Sequence, residues 1–172
     1  MKKIFLFCIM VSLGFGAILE NVNSFEADFS QTINDKENKV VVYYGHVIAK
    51  KPQLAKWHYT KPIQKTVYID NHSVVVLEPE LEQAIIRKIK DDFNIFDLLQ
   101  NATKIAKNKY QAKYKETVFT IVYDGKNITK LTYNDNFDNL VTIKFSNQHY
   151  NKTYEKSIFD PKIPHDFDMI VE

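Results

Sequence analysis

Apolar and polar residues alternate with a period of two along most of this chain. In residues 54–60, Ala55, Trp57 and Tyr59 point one way, and the largely polar set Leu54, Lys56, His58 and Thr60 points the other. In "KYQAKYK", Tyr110, Ala112 and Tyr114 share a face opposite Lys109, Gln111, Lys113 and Lys115. "LVTIKF" sets Val141, Ile143 and Phe145 against Thr142 and Lys144, with Leu140 the apolar exception. Eleven segments of this kind are predicted: 25–33, 39–50, 54–60, 64–70, 73–78, 83–90, 109–115, 118–124, 128–134, 139–147 and 153–159. Turn-forming stretches such as "NDKEN", "EPE", "YDGKN" and "NDNFDN" separate them, and the spacing is that of an antiparallel sheet.

Only two stretches carry a helical period. "NIFDLLQNATKIA" places Ile95, Leu98, Leu99, Ala102, Ile105 and Ala106 on one stripe. Asn94 is its expected N-cap, and Asp97 favours the helix N-terminus. Ile18, Val22 and Phe25 suggest a second short helix that runs into the first strand, where the period changes to two. Two short helices cannot cover a sheet of about eleven strands as a second layer. More apolar face is left than the helices can hide.

The N-terminus stands apart. "MKKIFLFCIMVSLGFGA" has two lysines, an uncharged apolar run from Ile4 to Phe15, and then small residues. That layout predicts a signal peptide over residues 1–17, cleaved after about Gly16 or Ala17, with residues 18–172 as one domain. The run is too short to span a bilayer comfortably. Cleavage removes Lys2 and Lys3, which account for the whole formal charge of +2. It also removes Cys8, the sole cysteine, so the mature chain has no disulfide, thiol nucleophile or Cys-ligated metal. Cys8 sits inside the apolar run behind Phe7, not at the end of the leader, so lipidation of this chain is not expected. An exported, neutral mature chain makes nucleic acid an unexpected partner.

Catalytic motifs are missing. The five histidines, His46, His58, His72, His149 and His165, show no HxH or HExxH spacing. His58 falls on the polar face of its strand, where an exposed histidine is the commoner reading. Glu78, Glu80 and Glu82 in "EPELE" would share a face if extended, but a solvated turn is the commoner origin of such a run. "NDNFDN" has the composition of a calcium loop without the ligand spacing or the glycine. No GxSxG, P-loop or GxGxxG occurs. No catalytic residue, metal ligand or cofactor is therefore expected. The lysine–tyrosine run at 107–115 allows a membrane-surface role, although lysine is routine on the wet face of a strand.

Several separate stretches match a known pattern in order and spacing. Ser24-Phe25-x-Ala27-x-Phe29-x-Gln31 opens the first strand, and Gly45 follows. Then come Lys51-Pro52-x-Leu54-x-x-Trp57 with Pro62, and Pro79-x-x-Glu82-Gln83. Phe159-x-Pro161-x-x-Pro164 with Asp168 closes the chain. Over about residues 24–170 the sequence resembles the periplasmic outer-membrane lipoprotein carrier family, LolA. The resemblance implies a mainly β fold with short helices: an incomplete antiparallel β-barrel of about 11 strands with a helical lid over an apolar cavity. It implies a periplasmic, non-enzymatic carrier that takes lipoproteins released from the inner membrane, shields their acyl chains and delivers them to the outer membrane. The implied partners are acylated lipoproteins, an inner-membrane lipoprotein-releasing ABC transporter and an outer-membrane acceptor.

Under that resemblance, the cavity or lid residues are Phe29, Val47, Ala55, Trp57, Tyr59, Val76, Ile95, Leu98 and Leu99. Lys51 stands where the family carries an arginine that latches the lid. It keeps the charge without the planar fork, so it can hold fewer carbonyls at once. Ala55 replaces the usual aromatic two residues before the tryptophan. A monomer is the simplest state for a carrier that must dock at two membranes. Three other readings compete: the same fold carrying or sensing another acylated molecule, a transmembrane barrel, and an exported hydrolase built on Glu78 or Glu80. Most of the segments are shorter than the roughly 9–11 residues that a membrane-spanning strand needs.

Overall fold

The computed structural model describes residues 21–88 and 94–172. The predicted signal peptide lies outside the described residues, as does the start of the predicted first helix at Ile18. From Asn21 to Asn23 the chain forms a turn and enters the sheet without a helix. The elements in chain order are β1 (Ser24–Asn34), β2 (Val40–Lys50), β3 (Leu54–Lys61), β4 (Lys65–Ile69), β5 (Ser73–Glu78), β6 (Gln83–Lys88) and α1 (Ile95–Gln100). They continue with β7 (Thr103–Ala106), β8 (Lys109–Tyr114), β9 (Thr117–Tyr123), β10 (Ile128–Asn134), β11 (Leu140–Tyr150) and β12 (Asp168–Val171).

All twelve strands form one sheet, ordered β12-β6-β5-β4-β3-β2-β1-β11-β10-β9-β8-β7. Every ladder is antiparallel except that of β12 on β6, which is parallel. With β12 at one end and β7 at the other, the sheet is open, an incomplete barrel as expected. Register sets the inner face. Phe29 pairs with Gly45 on one side and Phe145 on the other, and Gly45 pairs with Tyr59. A second row runs Val47, Trp57, Val67, Val76, Ile85. The main core gathers Ala27, Phe29, Val47, Ile121, Leu131, Val141 and Ile143 from the strands with Leu98 and Leu99 from α1.

Two expectations are corrected. The predicted helix over 94–106 ends at Gln100, and Thr103–Ala106 is β7, paired with β8. Asn101 closes the helix: its backbone N–H and its side-chain Nδ2 both donate to the Asp97 carbonyl, at 3.0 and 2.9 Å. The β-branched Thr103 and Ile105 then favour extended chain, and Asn108 at φ 59° turns the hairpin into β8. Ile105 is therefore exposed and Ala106 lies outside any helical stripe. Segment 153–159 is likewise not a strand, but irregular chain with a 3₁₀ turn at Lys156–Ile158. The twelfth strand is instead β12, four residues in which Asp168 precedes three apolar ones, too short to show alternation.

Residues 151–167 cross the outer face as a strap. Ile163 and Phe167 pack on Val75, Leu77 and Ala84, which point away from the inner face. The strap is pinned near β1: Ser24 Oγ donates to the Lys152 carbonyl, and Lys50 Nζ to the Tyr154 carbonyl, both at 2.7 Å. Glu26 accepts from Lys152 Nζ and, at 2.6 Å, from the Tyr154 hydroxyl. His46 lies between Glu26 and Asp28, 3.1 and 2.8 Å from their oxygens. The hydrogen bonds from Lys152 and then Tyr154 outweigh desolvation and pull the Glu26 carboxyl from 4.5 down to about 2.

A depressed carboxyl stabilises the fold above its unfolded-state value and loses that contribution as pH falls toward the folded one. Glu26→Gln should therefore lower the thermal midpoint at pH 7. The gap between wild type and variant should close progressively between pH 4.5 and 2. Melting curves across that range check it, and a gap that stays constant with pH would contradict it.

Candidate functional site

An apolar cavity of about 330 Å³ lies between α1 and the inner face of the sheet. Its walls come from both halves of the chain: Val47, Ala49, Ala55, Trp57 and Ile69 on one side, Phe119, Ile128, Leu131, Ile143 and Phe145 on the other. Gln53, Tyr133 and the Trp57 indole N–H supply the polar atoms of the lining side chains. A wider depression of about 510 Å³ opens on the outer face, bordered by Asp28, His46, Thr60 and Lys144. Its charged rim suits water better than hydrocarbon, so the smaller inner cavity is the site to consider.

Aromatic packing shapes the floor. The Phe29 ring meets Trp57 and Tyr59 edge-on, each with centroids 5.0 Å apart. Phe145 stands 5.4 Å from Phe25 and 6.4 Å from Trp57. Such ring pairs add about 0.5–1.5 kcal/mol each beyond area burial, which holds the wall without directional bonds to an occupant. The Tyr59 hydroxyl donates to Gln31 Oε1 at 3.0 Å. Burial raises the Tyr59 phenol above its ordinary value, so it stays neutral. Lys65 Nζ caps this end, 4.8 Å from the Tyr59 ring and 5.2 Å from that of Tyr43.

Gly45 makes the floor possible. A Cβ at this position would stand 2.2 Å from the His58 carbonyl oxygen and 2.7 Å from the Phe29 ring. The first obstacle is backbone and cannot swing aside.

The roof is α1. Asn94 Oδ1 accepts from the Phe96 N–H at 2.9 Å, so the expected N-cap is present. Ile95, Phe96 and Leu99 line the cavity from above. Phe96 is also buried against Val22, Ala49 and Ala55, while Leu98 and Leu99 enter the main core. A helix of six residues has no stability in isolation, so α1 persists only while docked.

Of the residues singled out in the sequence, Val47, Ala55, Trp57, Ile95 and Leu99 line the cavity. Phe29, Tyr59 and Leu98 sit behind that surface in the main cluster. Val76 shares the row of Trp57 through Val67 but lies outside the cavity, half-buried. Lys51 reaches the roof through a ring, its ammonium 5.8 Å from the Phe96 centroid. His58 is on the outer face, bonded to Thr66 Oγ1 at 3.0 Å. Sequence reasoning did not name Phe25, Phe96, Phe119, Ile128 or Leu131 for the site. Phe145 and Ile143 carried the signal in the alternation of "LVTIKF", but nothing local says that β9–β11 curve round to face β2 and β3.

Residues 20–122 match the sequence model of the family described as outer membrane lipoprotein carrier protein LolA. The outer-membrane lipoprotein carrier protein of Campylobacter jejuni is 35% identical over 171 residues, covering 99% of each chain. That of Helicobacter pylori is 38% identical over 143 residues, 83% of this chain and 76% of its own. That of Wolinella succinogenes is 34% identical over 152 residues, 86% and 88% respectively. Among solved structures, a LolA superfamily protein from Nitrosomonas europaea superposes with a TM-score of 0.50 at 9% identity, over 82% of this chain and 91% of that one. An uncharacterized conserved protein from Thermus thermophilus gives 0.54 at 11% identity, over 88% and 92%. Likeness at such identities concerns the fold alone.

Gly45→Ala should destabilise the protein by upwards of about 2 kcal/mol. Adding Phe29→Leu should not restore it, because the closest clash is with a backbone oxygen. Urea unfolding of both variants checks this, and a nearly neutral Gly45→Ala would contradict the packing described.

Proposed function

The chain belongs to the outer membrane lipoprotein carrier protein (LolA) family, and from that premise we propose that it carries lipoproteins across the periplasm by housing their acyl chains in the cavity beneath α1. It is a binding protein and not an enzyme. An inner-membrane lipoprotein-releasing ABC transporter hands over the cargo, and an outer-membrane acceptor receives it. Residues 1–17 act as the export signal.

The observation that carries this reading is an almost wholly apolar cavity roofed by a helix that cannot stand alone. A chain of about 16 carbons resists water by roughly 12 kcal/mol, at 0.8 per CH₂. A hydrocarbon wall can offset most of that without asking for a particular headgroup geometry. At about 330 Å³ the cavity is at the small end of ligand sites, so α1 moves aside as the acyl chains enter. Val47, Ala55 and Trp57 then meet the cargo from the sheet, with Phe29 and Tyr59 as the floor behind them. Ile95, Leu98 and Leu99 ride on the moving roof, and Val76 becomes reachable beyond Val67 once the roof is off. The same chemistry would hold another acylated molecule, so the test uses a lipoprotein.

The mature chain, added to spheroplasts that hold a labelled triacylated lipoprotein, should release the label as a soluble complex. Trp57→Glu places a charge in the cavity wall and should abolish release while the protein stays folded by circular dichroism. No release by wild type, with the transporter present, would overturn the reading.

A further inference from the structure

Two pieces of chain that line the cavity meet at one side chain. Gln53, in the turn between β2 and β3, and Leu54, the first residue of β3, line it from one side, and Ile95, Phe96 and Leu99 of α1 from the other. Asn94 lies where they approach. Its Oδ1 accepts from the Phe96 N–H at 2.9 Å, and its Nδ2 donates to the Pro52 carbonyl at 2.7 Å. We propose that Asn94 is the catch of the roof: one amide starts the helix and, with its other end, ties that helix to the β2–β3 turn.

Two features of the site support this. First, α1 is too short to form undocked, so a bond at its first turn controls whether the turn forms over the cavity at all. Second, Lys51, in the same β2–β3 turn, has its ammonium over the Phe96 ring, and an ammonium–ring contact tolerates sliding. The hydrogen bond from Asn94 Nδ2 to the Pro52 carbonyl has a length and a direction, and it breaks when the helix lifts. Asn94 is therefore a positioning residue, acting on the cargo through α1. The inference deepens the carrier reading by naming what resists loading.

Capping and catching can be separated because aspartate caps as well as asparagine does and adds favourable charge at the helix start. It cannot donate to a carbonyl. If Asn94 were only a cap, Asn94→Asp would hold α1 as well as wild type or better. As the catch, its loss should let α1 open more often.

The measurement is amide hydrogen exchange at Phe96 and Leu98 in the empty mature protein. It is made for wild type, Asn94→Asp and Asn94→Ala, each also in a Lys51→Met background so that a new ion pair cannot replace the lost bond. Asn94→Asp should exchange faster than its parent by about three- to tenfold, the size of one neutral hydrogen bond. The β1 and β11 amides should keep their protection. Exchange in Asn94→Asp equal to or slower than its parent would overturn the proposal. A second readout, uptake of a fluorescent diacylated lipopeptide, should quicken in the same variant. If wild type takes up no lipopeptide while the exchange result holds, the catch stands and the carrier reading falls.

Discussion

An open sheet with an apolar inner face wider than helix α1 is the constraint on which this structure depends. The two sides of the β4–β6 region meet it differently. On the outside, the strap brings Ile163 and Phe167 onto Val75, Leu77 and Ala84, tied down by Glu26, Lys152 and Tyr154. On the inside, Val67, Val76 and Ile85 are half-buried, and among the described residues it is the region around Trp57 that α1 roofs. Under the proposed function, the tied-down cover therefore sits on the face away from the cargo. The cover proposed to lift is α1, a helix of six residues.

Such a roof also limits how tightly anything can bind. Ile95, Phe96 and Leu99 occupy the space that an acyl chain would take, so a guest must displace apolar side chains that are already out of water. Part of the favourable transfer energy of the guest is thereby returned, because the empty state is not exposed to solvent to begin with. The walls contribute shape and little else. Ring contacts among Phe25, Phe29, Trp57 and Phe145 fix their positions, and the polar groups nearby, Tyr59 and Gln31, satisfy one another. A site built this way suits hydrocarbon without selecting a particular chain, as the proposed carrier function requires.

Much of this was legible in the sequence, and the failures have local causes. Period-two alternation located ten of the twelve strands, because one wet and one dry face leave that mark on every ladder. It missed β7, where Ala102, Ile105 and Ala106 imitate a helical stripe beyond the true end of α1 at Gln100. It missed β12, which is too short to alternate, and read the strap as a strand. The near wall was visible in Ala55 and Trp57. The far wall was not, since the approach of Phe119 and Leu131 to Trp57 depends on the curvature of the whole sheet. The Asn94 cap was readable from its own segment. Its second bond reaches Pro52, 42 positions away, and no local pattern encodes it.

The most direct test is to ask where the hydrocarbon lies. A diacylated lipopeptide with a diazirine near the end of one acyl chain, bound to the mature protein and irradiated, labels whatever side chains surround that chain. Adducts are expected on the inner wall and roof, at Trp57, Phe145, Ile128 and Leu99. Adducts confined to the outer face around His46 and Tyr44, or to the edge strands β7 and β12, would contradict it.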